Sequence, residues 1–219
     1  MASESNRLVG QACPRCAAAL RFPIVCADCG WLKDSLDPVD FFELLGLPRK
    51  YAVVENELSQ AYRALARLIH PDRFAGQSDE NIARATAWSS EVNRAYEALR
   101  DPGRRADYLL DQNGGPSAAE DREVPASLLA EVMEWREAMS AFSPDDTSDE
   151  RNRLRSDVAL RREDLLSRIE KSAAGLKSAS AVDRTELRRM LNSLRYLDNL
   201  VGDLAANPLS SSTSISHVR

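Results

Sequence analysis

The chain has 219 residues, 43% of them hydrophobic, and a formal net charge of −5. This length predicts one or two domains, and the acidic balance argues against a nucleic-acid-binding protein, which normally carries a basic surplus. No apolar run reaches the length of a membrane-spanning helix, and residues 1–11 resemble neither a secretory signal nor a mitochondrial presequence. We therefore expect no membrane partner and a cytoplasmic protein, with the mitochondrial matrix as the other compartment that the sequence leaves open.

The four cysteines all lie near the N-terminus, in Cys13-Pro14-Arg15-Cys16 and Cys26-Ala27-Asp28-Cys29. Two C-x2-C pairs nine residues apart are typical of a tetrahedral site in which four thiolates hold one metal ion. We predict a structural zinc ion in residues 10–35, hereafter the cysteine knuckle, with a single iron ion as the alternative. Four protein ligands leave no position open for metal catalysis. Disulfides are disfavoured because the expected compartment is reducing, while a redox or sensor protein is the rival interpretation of these cysteines.

Two amphipathic helices follow, separated by His70-Pro71-Asp72. The apolar residues of the first recur at three- and four-residue spacing, at Leu58, Ala61, Tyr62, Leu65, Leu68 and Ile69. Those of the second are Ile82, Ala85, Trp88, Val92, Ala95, Tyr96 and Leu99. Pro71 lacks an N–H and disfavours helical backbone at His70, so the first helix is predicted to end there. A plain helix stop followed by a turn would also explain the tripeptide.

The surroundings of the tripeptide favour a more specific interpretation. The segments that carry it are residues 40–47, a short apolar helix ended by Gly46, and then residues 73–74, 93–99, 101–102 and 104–110. This ordered set, over about residues 38–112, resembles the J domain, by which co-chaperones engage ATPase chaperones of the DnaK/HscA class. The resemblance implies that His70, Pro71 and Asp72 contact that chaperone and trigger its ATP hydrolysis. Catalysis by the chain itself is not predicted, because no nucleophile or phosphate-binding loop is marked by its pattern.

Three arginines near the tripeptide form a candidate docking strip. Arg63 and Arg67 lie four residues apart on the first helix, away from its apolar stripe, and Arg73 follows the tripeptide. Such pairs are most often a solvated helix face. Their position beside His70-Pro71-Asp72 favours a role in steering an acidic partner surface.

The second half of the chain predicts a linker at residues 113–123 and three helices within residues 124–206. The first helix is expected from about Pro125 to Phe142, with residues 143–146 as its breaker. The second is expected from about Asp149 to Ser172, with Leu154, Val158, Leu165 and Ile169 on one stripe. The third is expected from an N-cap at Asp183 to Ala206. Residues 1–9 and 207–219 are expected to be disordered.

Helical geometry divides the first and third of these helices into faces. The expected core stripe of the first is Leu128, Val132, Trp135, Met139 and Phe142. That of the third is Leu187, Met190, Leu191, Leu194, Leu197, Val201 and Leu204. Leu129 and Met133 fall on a neighbouring face, and Tyr196 with Leu200 beside it falls opposite the core. A wide buried face and an exposed interaction patch fit this pattern equally well.

A second resemblance favours the exposed interaction patch over the wide buried face. Residues 128–137 and 194–200 are similar to two signature segments of the HscB family of J-type co-chaperones, whose three-helix C-terminal bundle binds the iron–sulfur scaffold protein IscU. The family's contact positions correspond to Leu129, Ala130, Met133, Glu134, Arg136, Glu137 and Tyr196. The two C-x2-C pairs resemble a metal-binding extension found in eukaryotic-type members.

We therefore predict an all-α protein with a J-domain helical hairpin, a C-terminal three-helix bundle and a small N-terminal four-cysteine knuckle. It is expected to be a non-enzymatic co-chaperone that binds an IscU-like scaffold protein and delivers it to a DnaK/HscA-class ATPase chaperone. The alternatives are a general J-domain co-chaperone for other clients and a four-cysteine metal or redox sensor. No nucleic-acid partner is expected.

Overall fold

The computed structural model describes residues 11–142 and 149–205, which divide into two compact units at Arg105. The α-helices, in chain order, are α1 (Phe41–Leu44), α2 (Glu55–Ile69), α3 (Asp79–Arg100), α4 (Pro102–Gln112), α5 (Ala126–Ser140), α6 (Asp149–Ala174) and α7 (Ala181–Ala205). Two short 3-10 helices, η1 (Pro71–Phe74) and η2 (Leu176–Ser178), lie between them. The predicted all-α class is confirmed for the described residues, where β structure is limited to isolated bridges within residues 12–32.

Several predicted features fall outside this description. The expected disorder of residues 1–9 and 207–219 lies outside the described residues, as does the predicted helix breaker at residues 143–146. Among the helices that are described, none combines the length and apolarity that crossing a bilayer needs.

The centre of the first unit is an antiparallel pair formed by α2 and α3. Near one end of the pair, Tyr62 stacks on Tyr96 with ring centroids 4.2 Å apart. Near the other end, the Ser89 hydroxyl donates to the carbonyl of Ile69 at 3.4 Å. The apolar stripes predicted for these helices form the core, and Leu65, Ile69, Val92, Ala95 and Leu99 are fully buried. The prediction of two facing amphipathic helices is therefore confirmed.

Local chemistry explains where α1 begins and ends and where α2 ends. Asp40 caps α1, because its carboxylate accepts hydrogen bonds from the N–H groups of Phe42 and Glu43 at 2.9 and 3.1 Å. Gly46 follows α1 with a φ of +64°, a conformation that favours glycine. His70 is the C-cap of α2 in extended backbone geometry, as Pro71 requires.

The second unit is built around α7, which α5 and α6 contact from two sides. Helix α5 runs parallel to α7, because Asn192 donates to the carbonyl of Glu123 before α5, while Arg136 on α5 pairs with Asp203 near the end of α7. Helix α6 runs antiparallel to both, because Arg162 pairs with Asp198 at 2.5 Å while Leu154 and Val158, earlier on α6, pack with Leu200 and Leu204, later on α7. The core of the second unit therefore lies along α7.

Leu154 and Val158 of α6 pack with Leu200 and Leu204 of α7 in this core. The partly buried side chains Trp135, Met139 and Phe142 lie against this cluster, as the first core stripe predicted. The α6 stripe is confirmed as well, since all four of its predicted members are buried.

Three predictions for α7 are wrong. Leu200 was expected on the outward face but is fully buried, whereas Val201 was expected in the core and is 37% exposed. The helix begins at Ala181 rather than after Asp183. Ser180 is the capping residue, because its hydroxyl accepts the Asp183 N–H at 3.2 Å and the Asp183 carboxylate accepts the Ser180 N–H at 2.8 Å. These bonds from Ser180 lower the pKa of the Asp183 carboxyl.

The predicted linker at residues 113–123 makes specific contacts with α7. The buried Arg188 donates through Nε to the carbonyl of Pro116 at 2.9 Å and forms an ion pair with Asp107 of α4. Asn192 donates to the carbonyl of Asp121 at 3.0 Å. This segment is thus hydrogen-bonded to α7 along its length, although its composition is typical of a flexible connection. The predicted domain bounds stay a prediction.

Candidate functional site

The tripeptide His70-Pro71-Asp72 forms an exposed turn in the first unit. Its ionisable side chains face solvent, with 60% of the His70 side chain and 89% of the Asp72 side chain exposed. The turn is held locally, because the Asp72 N–H donates to His70 Nδ1 at 3.3 Å and the Arg73 N–H donates to the His70 carbonyl at 2.9 Å. Phe74 is buried and anchors η1 to the unit. The His70 and Asp72 side chains are therefore accessible at the surface of the first unit.

The three predicted strip arginines are also on the surface. Arg63 and Arg67 are exposed on α2, and Arg73 is exposed in η1. The buried residues of α2, Leu58, Ala61, Leu65 and Ile69, lie on its other side. The structure therefore leaves these guanidinium groups accessible on the elements that carry the tripeptide. Their role in docking stays a prediction.

The candidate scaffold-binding residues lie on one exposed face of the second unit. Leu129 is 37%, Met133 71% and Tyr196 43% exposed, whereas their neighbours Leu128 and Val132 are buried. The remaining predicted members, Ala130, Glu134, Arg136 and Glu137, are exposed as well. The geometric prediction of an outward apolar group rimmed by charge therefore agrees with the structure.

The parallel register of α5 and α7 explains how residues far apart in sequence share this face. Arg136 lies 3.3 Å from Asp203, and residues seven positions earlier on each helix are Leu129 and Tyr196. Since seven residues are close to two helical turns, Leu129 and Tyr196 occupy the same level of the bundle and the same side. We call Leu129, Met133 and Tyr196 the apolar patch. Asp203, which sequence reasoning missed, ties Arg136 to the edge of the patch.

The four cysteines converge in the knuckle as predicted. The Sγ atoms of Cys13 and Cys29 are 3.6 Å apart, those of Cys16 and Cys26 are 3.7 Å apart, and all four lie within 4.8 Å of one another. Four thiolates around a metal at about 2.3 Å would be separated by about 3.8 Å in a tetrahedron. The donor set and its spacing therefore fit one tetrahedral ion, and the same spacing suits zinc and iron.

The surroundings of the Cys13 and Cys16 thiols shift their pKa values in opposite directions. Burial opposes ionisation of Cys13, but hydrogen bonds from the Arg15 and Cys16 backbone outweigh it and lower the pKa of Cys13 to about 7. A backbone hydrogen bond from Ala18 favours the Cys16 thiolate, yet the nearby Cys29 sulfur and burial raise the pKa of Cys16 to about 12. A metal ion bound to both sulfurs would favour their deprotonated forms, in Cys16 against the effect of its surroundings.

Two matching turns position the thiols. In each, the backbone N–H one residue after the second cysteine donates to the carbonyl of the first, from Ala17 to Cys13 at 2.8 Å and from Gly30 to Cys26 at 3.1 Å. Both residues adopt positive φ, +62° at Ala17 and +71° at Gly30. Glycine adopts this conformation readily, so Gly30 suits its position, whereas an alanine such as Ala17 rarely adopts it.

Two family profiles match most of the described chain. The DnaJ domain profile matches residues 40–108, and the HSCB C-terminal oligomerisation domain profile matches residues 124–204. The tripeptide therefore lies inside the first match and the apolar patch inside the second. The cysteine knuckle precedes both.

Known proteins resemble the chain over a similar extent. A protein named Co-chaperone protein HscB homolog from Burkholderia mallei is 36% identical over 161 residues, which are 73% of this chain and 87% of that protein. The chain belongs to the HscB family of co-chaperones. An HscB homolog from Burkholderia multivorans is 35% identical and covers 78% of this chain and 94% of its own length. One from Chromobacterium violaceum is 42% identical, but the match spans only 58% of that relative.

Solved structures agree with HscB membership in fold. The crystal structure of human co-chaperone protein HscB superposes with a TM-score of 0.70 at 23% identity, covering 89% of this chain and 96% of that one. Chaperone HscB from Vibrio cholerae superposes with a TM-score of 0.63 at 26% identity, covering 76% of this chain and 95% of that one. The predicted recognition and fold class are thus confirmed.

Proposed function

We propose that this HscB-family chain is a co-chaperone that recruits a DnaK/HscA-class ATPase chaperone and stimulates its ATP hydrolysis during iron–sulfur cluster assembly. The observation that carries the proposal is the exposed His70-Pro71-Asp72 turn within a match to the DnaJ domain. Arg63, Arg67 and Arg73 would steer the acidic surface of the chaperone toward it. The chain supplies a docking surface, and the hydrolysis takes place in the chaperone.

The second unit would bind the client of this system, an IscU-like scaffold protein. Support comes from the apolar patch, which leaves large side chains exposed within the match to the HscB C-terminal domain. An apolar centre rimmed by Glu134, Arg136 and Glu137 is the usual composition of a protein–protein contact. One chain that holds both proteins raises the effective concentration of the scaffold at the chaperone.

The cysteine knuckle would hold one structural zinc ion, with iron as the alternative. Its four sulfurs fit a closed tetrahedral site, which assigns the ion a role in folding rather than in catalysis. In this proposal the protein acts in the cytoplasm and has no enzymatic activity of its own.

The test is steady-state ATP hydrolysis by the cognate chaperone in the presence of this protein, with and without the scaffold protein. We expect stimulation that rises further when the scaffold is added. His70→Gln should abolish both effects, because it changes the exposed turn without touching a buried residue. Glu57→Gln, an exposed change at the opposite end of α2, is the matched control and should leave stimulation unchanged.

Each alternative result has a distinct meaning. Stimulation that is indifferent to the scaffold would support a J-domain co-chaperone with another client. No stimulation of any resident chaperone would overturn the proposal. Bound iron with a reversible potential in the purified protein would favour the sensor interpretation of the knuckle.

A further inference from the structure

The cysteine knuckle is packed against α3 of the same unit through a partly buried hydrogen bond. The indole Nε1 of Trp88 donates to the carbonyl of Lys33 at 3.1 Å, and Trp88 is only 1% exposed. Lys33 is itself held in the knuckle, because its N–H donates to the carbonyl of Ile24 at 2.8 Å. The polar group of a core tryptophan is therefore satisfied by the metal-binding segment, and would lose its partner if that segment unfolded.

Two further contacts join the knuckle to the rest of the first unit, one at α3 and one just after α1. The Arg84 guanidinium, whose side chain is 15% exposed, bridges Asp34 at the end of the knuckle and Glu80 on α3 at 2.6 and 2.8 Å. Gly46 lies so close to the knuckle that an added Cβ would be 3.2 Å from the carbonyl of Arg21. Phe22, beside Arg21, is 1% exposed. The knuckle thus covers apolar surface of the helical hairpin rather than lying apart from it.

The part of α3 that contacts the knuckle also holds the end of α2. Ser89, the residue after Trp88, donates its hydroxyl to the carbonyl of Ile69, and His70 follows directly. Helix η1, which carries Pro71 and Asp72, also packs on α3. Two hydrogen bonds therefore connect the knuckle to the tripeptide. Lys33 is bonded to Trp88, and the next residue, Ser89, is bonded to Ile69, which precedes His70.

We propose that metal occupancy of the cysteine knuckle controls the order of the His70-Pro71-Asp72 turn through Trp88. A segment of this size buries too little surface to fold without its ion. Loss of the ion would release Lys33, replace the Trp88–Lys33 hydrogen bond by one to water and loosen the turn of α3 that holds Ile69. The consequence for chaperone docking rests on the proposed function, whereas the structural consequence does not.

The experiment is hydrogen exchange of the full chain, loaded with zinc or stripped by a chelator under reducing conditions. On stripping, we expect exchange within residues 64–75 to accelerate about tenfold, which corresponds to about 1.4 kcal/mol of local opening free energy. Helices α5, α6 and α7 should exchange at unchanged rates and are the internal reference. In the zinc-loaded protein, Trp88→Phe should reproduce part of the acceleration, while Trp135→Phe, the same substitution in the second unit, should not.

The results separate this inference from the proposed function. Loss of protection at the Ala17 and Gly30 amides with unchanged exchange in residues 64–75 would overturn it. Acceleration throughout both units would overturn it as well, because that indicates global destabilisation. If residues 64–75 respond as expected but stripped and loaded proteins stimulate the chaperone equally, the coupling stands and the docking role of the turn fails.

Discussion

At the scale of single residues, the two turns of the knuckle are chemically unequal. Ala17 and Gly30 occupy equivalent positions, both with positive φ, but only Gly30 lacks a side chain that disfavours this conformation. Left-handed backbone costs an L-residue about 1–2 kcal/mol relative to the right-handed form, while glycine adopts it freely. The turn that positions Cys13 and Cys16 is therefore less favourable than the turn that positions Cys26 and Cys29.

This asymmetry predicts opposite effects of two matched substitutions. Ala17→Gly should stabilise the zinc-loaded knuckle by about 0.5–1 kcal/mol, because relief of strain exceeds the added entropy of the unfolded chain. Gly30→Ala should destabilise it by a similar amount, since an added Cβ there meets no atom within 4 Å and only the backbone is strained. Chelator competition measures both. Equal effects of the same sign would show that φ at these positions does not control the site.

At the scale of helices, Arg188 shows how α7 organises the second unit. Its side chain is 2% exposed, forms an ion pair with Asp107 of α4 and donates to the carbonyl of Pro116. One buried guanidinium thus connects α7 to the end of α4 and to the segment that precedes α5. An arginine is suited to this because its planar group donates in several directions at once.

We expect Arg188→Met to destabilise the protein by about 2 kcal/mol, because hydrogen bonds to charged groups contribute about 1.5–3 kcal/mol and the methionine retains only the apolar packing. The control is Arg195→Met, since Arg195 lies 3.8 Å from the same Asp107 but its side chain is 62% exposed. Such an exposed pair contributes about 0–1 kcal/mol. Urea unfolding compares the two variants. Equal destabilisation would show that the burial of Arg188 does not increase its contribution to the free energy of unfolding.

At the scale of the whole molecule, the two proposed protein-binding surfaces lie on two separate units. The His70-Pro71-Asp72 turn belongs to the first unit, and the apolar patch to the second. Because each surface is built from exposed side chains on its own core, substitutions in one should leave the other intact. The proposed co-chaperone depends on this independence.

Leu129→Ala combined with Tyr196→Ala should therefore weaken scaffold binding by at least about 100-fold, since central interface side chains often contribute about 2 kcal/mol or more each. The free energy of unfolding should change much less than the about 2–5 kcal/mol expected for Leu128→Ala, which removes a buried side chain. Stimulation of the chaperone without scaffold should stay at the level of the unmodified protein. Calorimetric titration with the scaffold measures the affinity, and Leu160→Ala, at a 64% exposed leucine of α6, is the control.

If the double variant unfolds instead, the patch is part of the core and the proposed interface is wrong. If it stays folded and binds the scaffold normally, the client surface lies elsewhere on the second unit.

Local sequence patterns predicted the buried faces of most helices, the end of α2 and the convergence of the cysteines. The spacing of apolar residues predicted the buried faces of α2, α3, α5 and α6, because a helix repeats every 3.6 residues whatever packs against it. Pro71 determined where α2 ends, since a missing N–H acts on its own turn. The paired cysteines predicted their own convergence, because two short turns bring four thiols together with little help from the rest of the fold.

The tertiary structure decided what depends on neighbouring elements. Sequence periodicity placed Val201 in the core and Leu200 outside it, the reverse of the structure, because only the positions of α5 and α6 select which residue of α7 is buried. Periodicity also could not show that Lys33 accepts the Trp88 hydrogen bond, since these residues are 55 positions apart. A local pattern specifies which side of a helix is apolar, whereas the partner of that side is chosen by packing across the whole core.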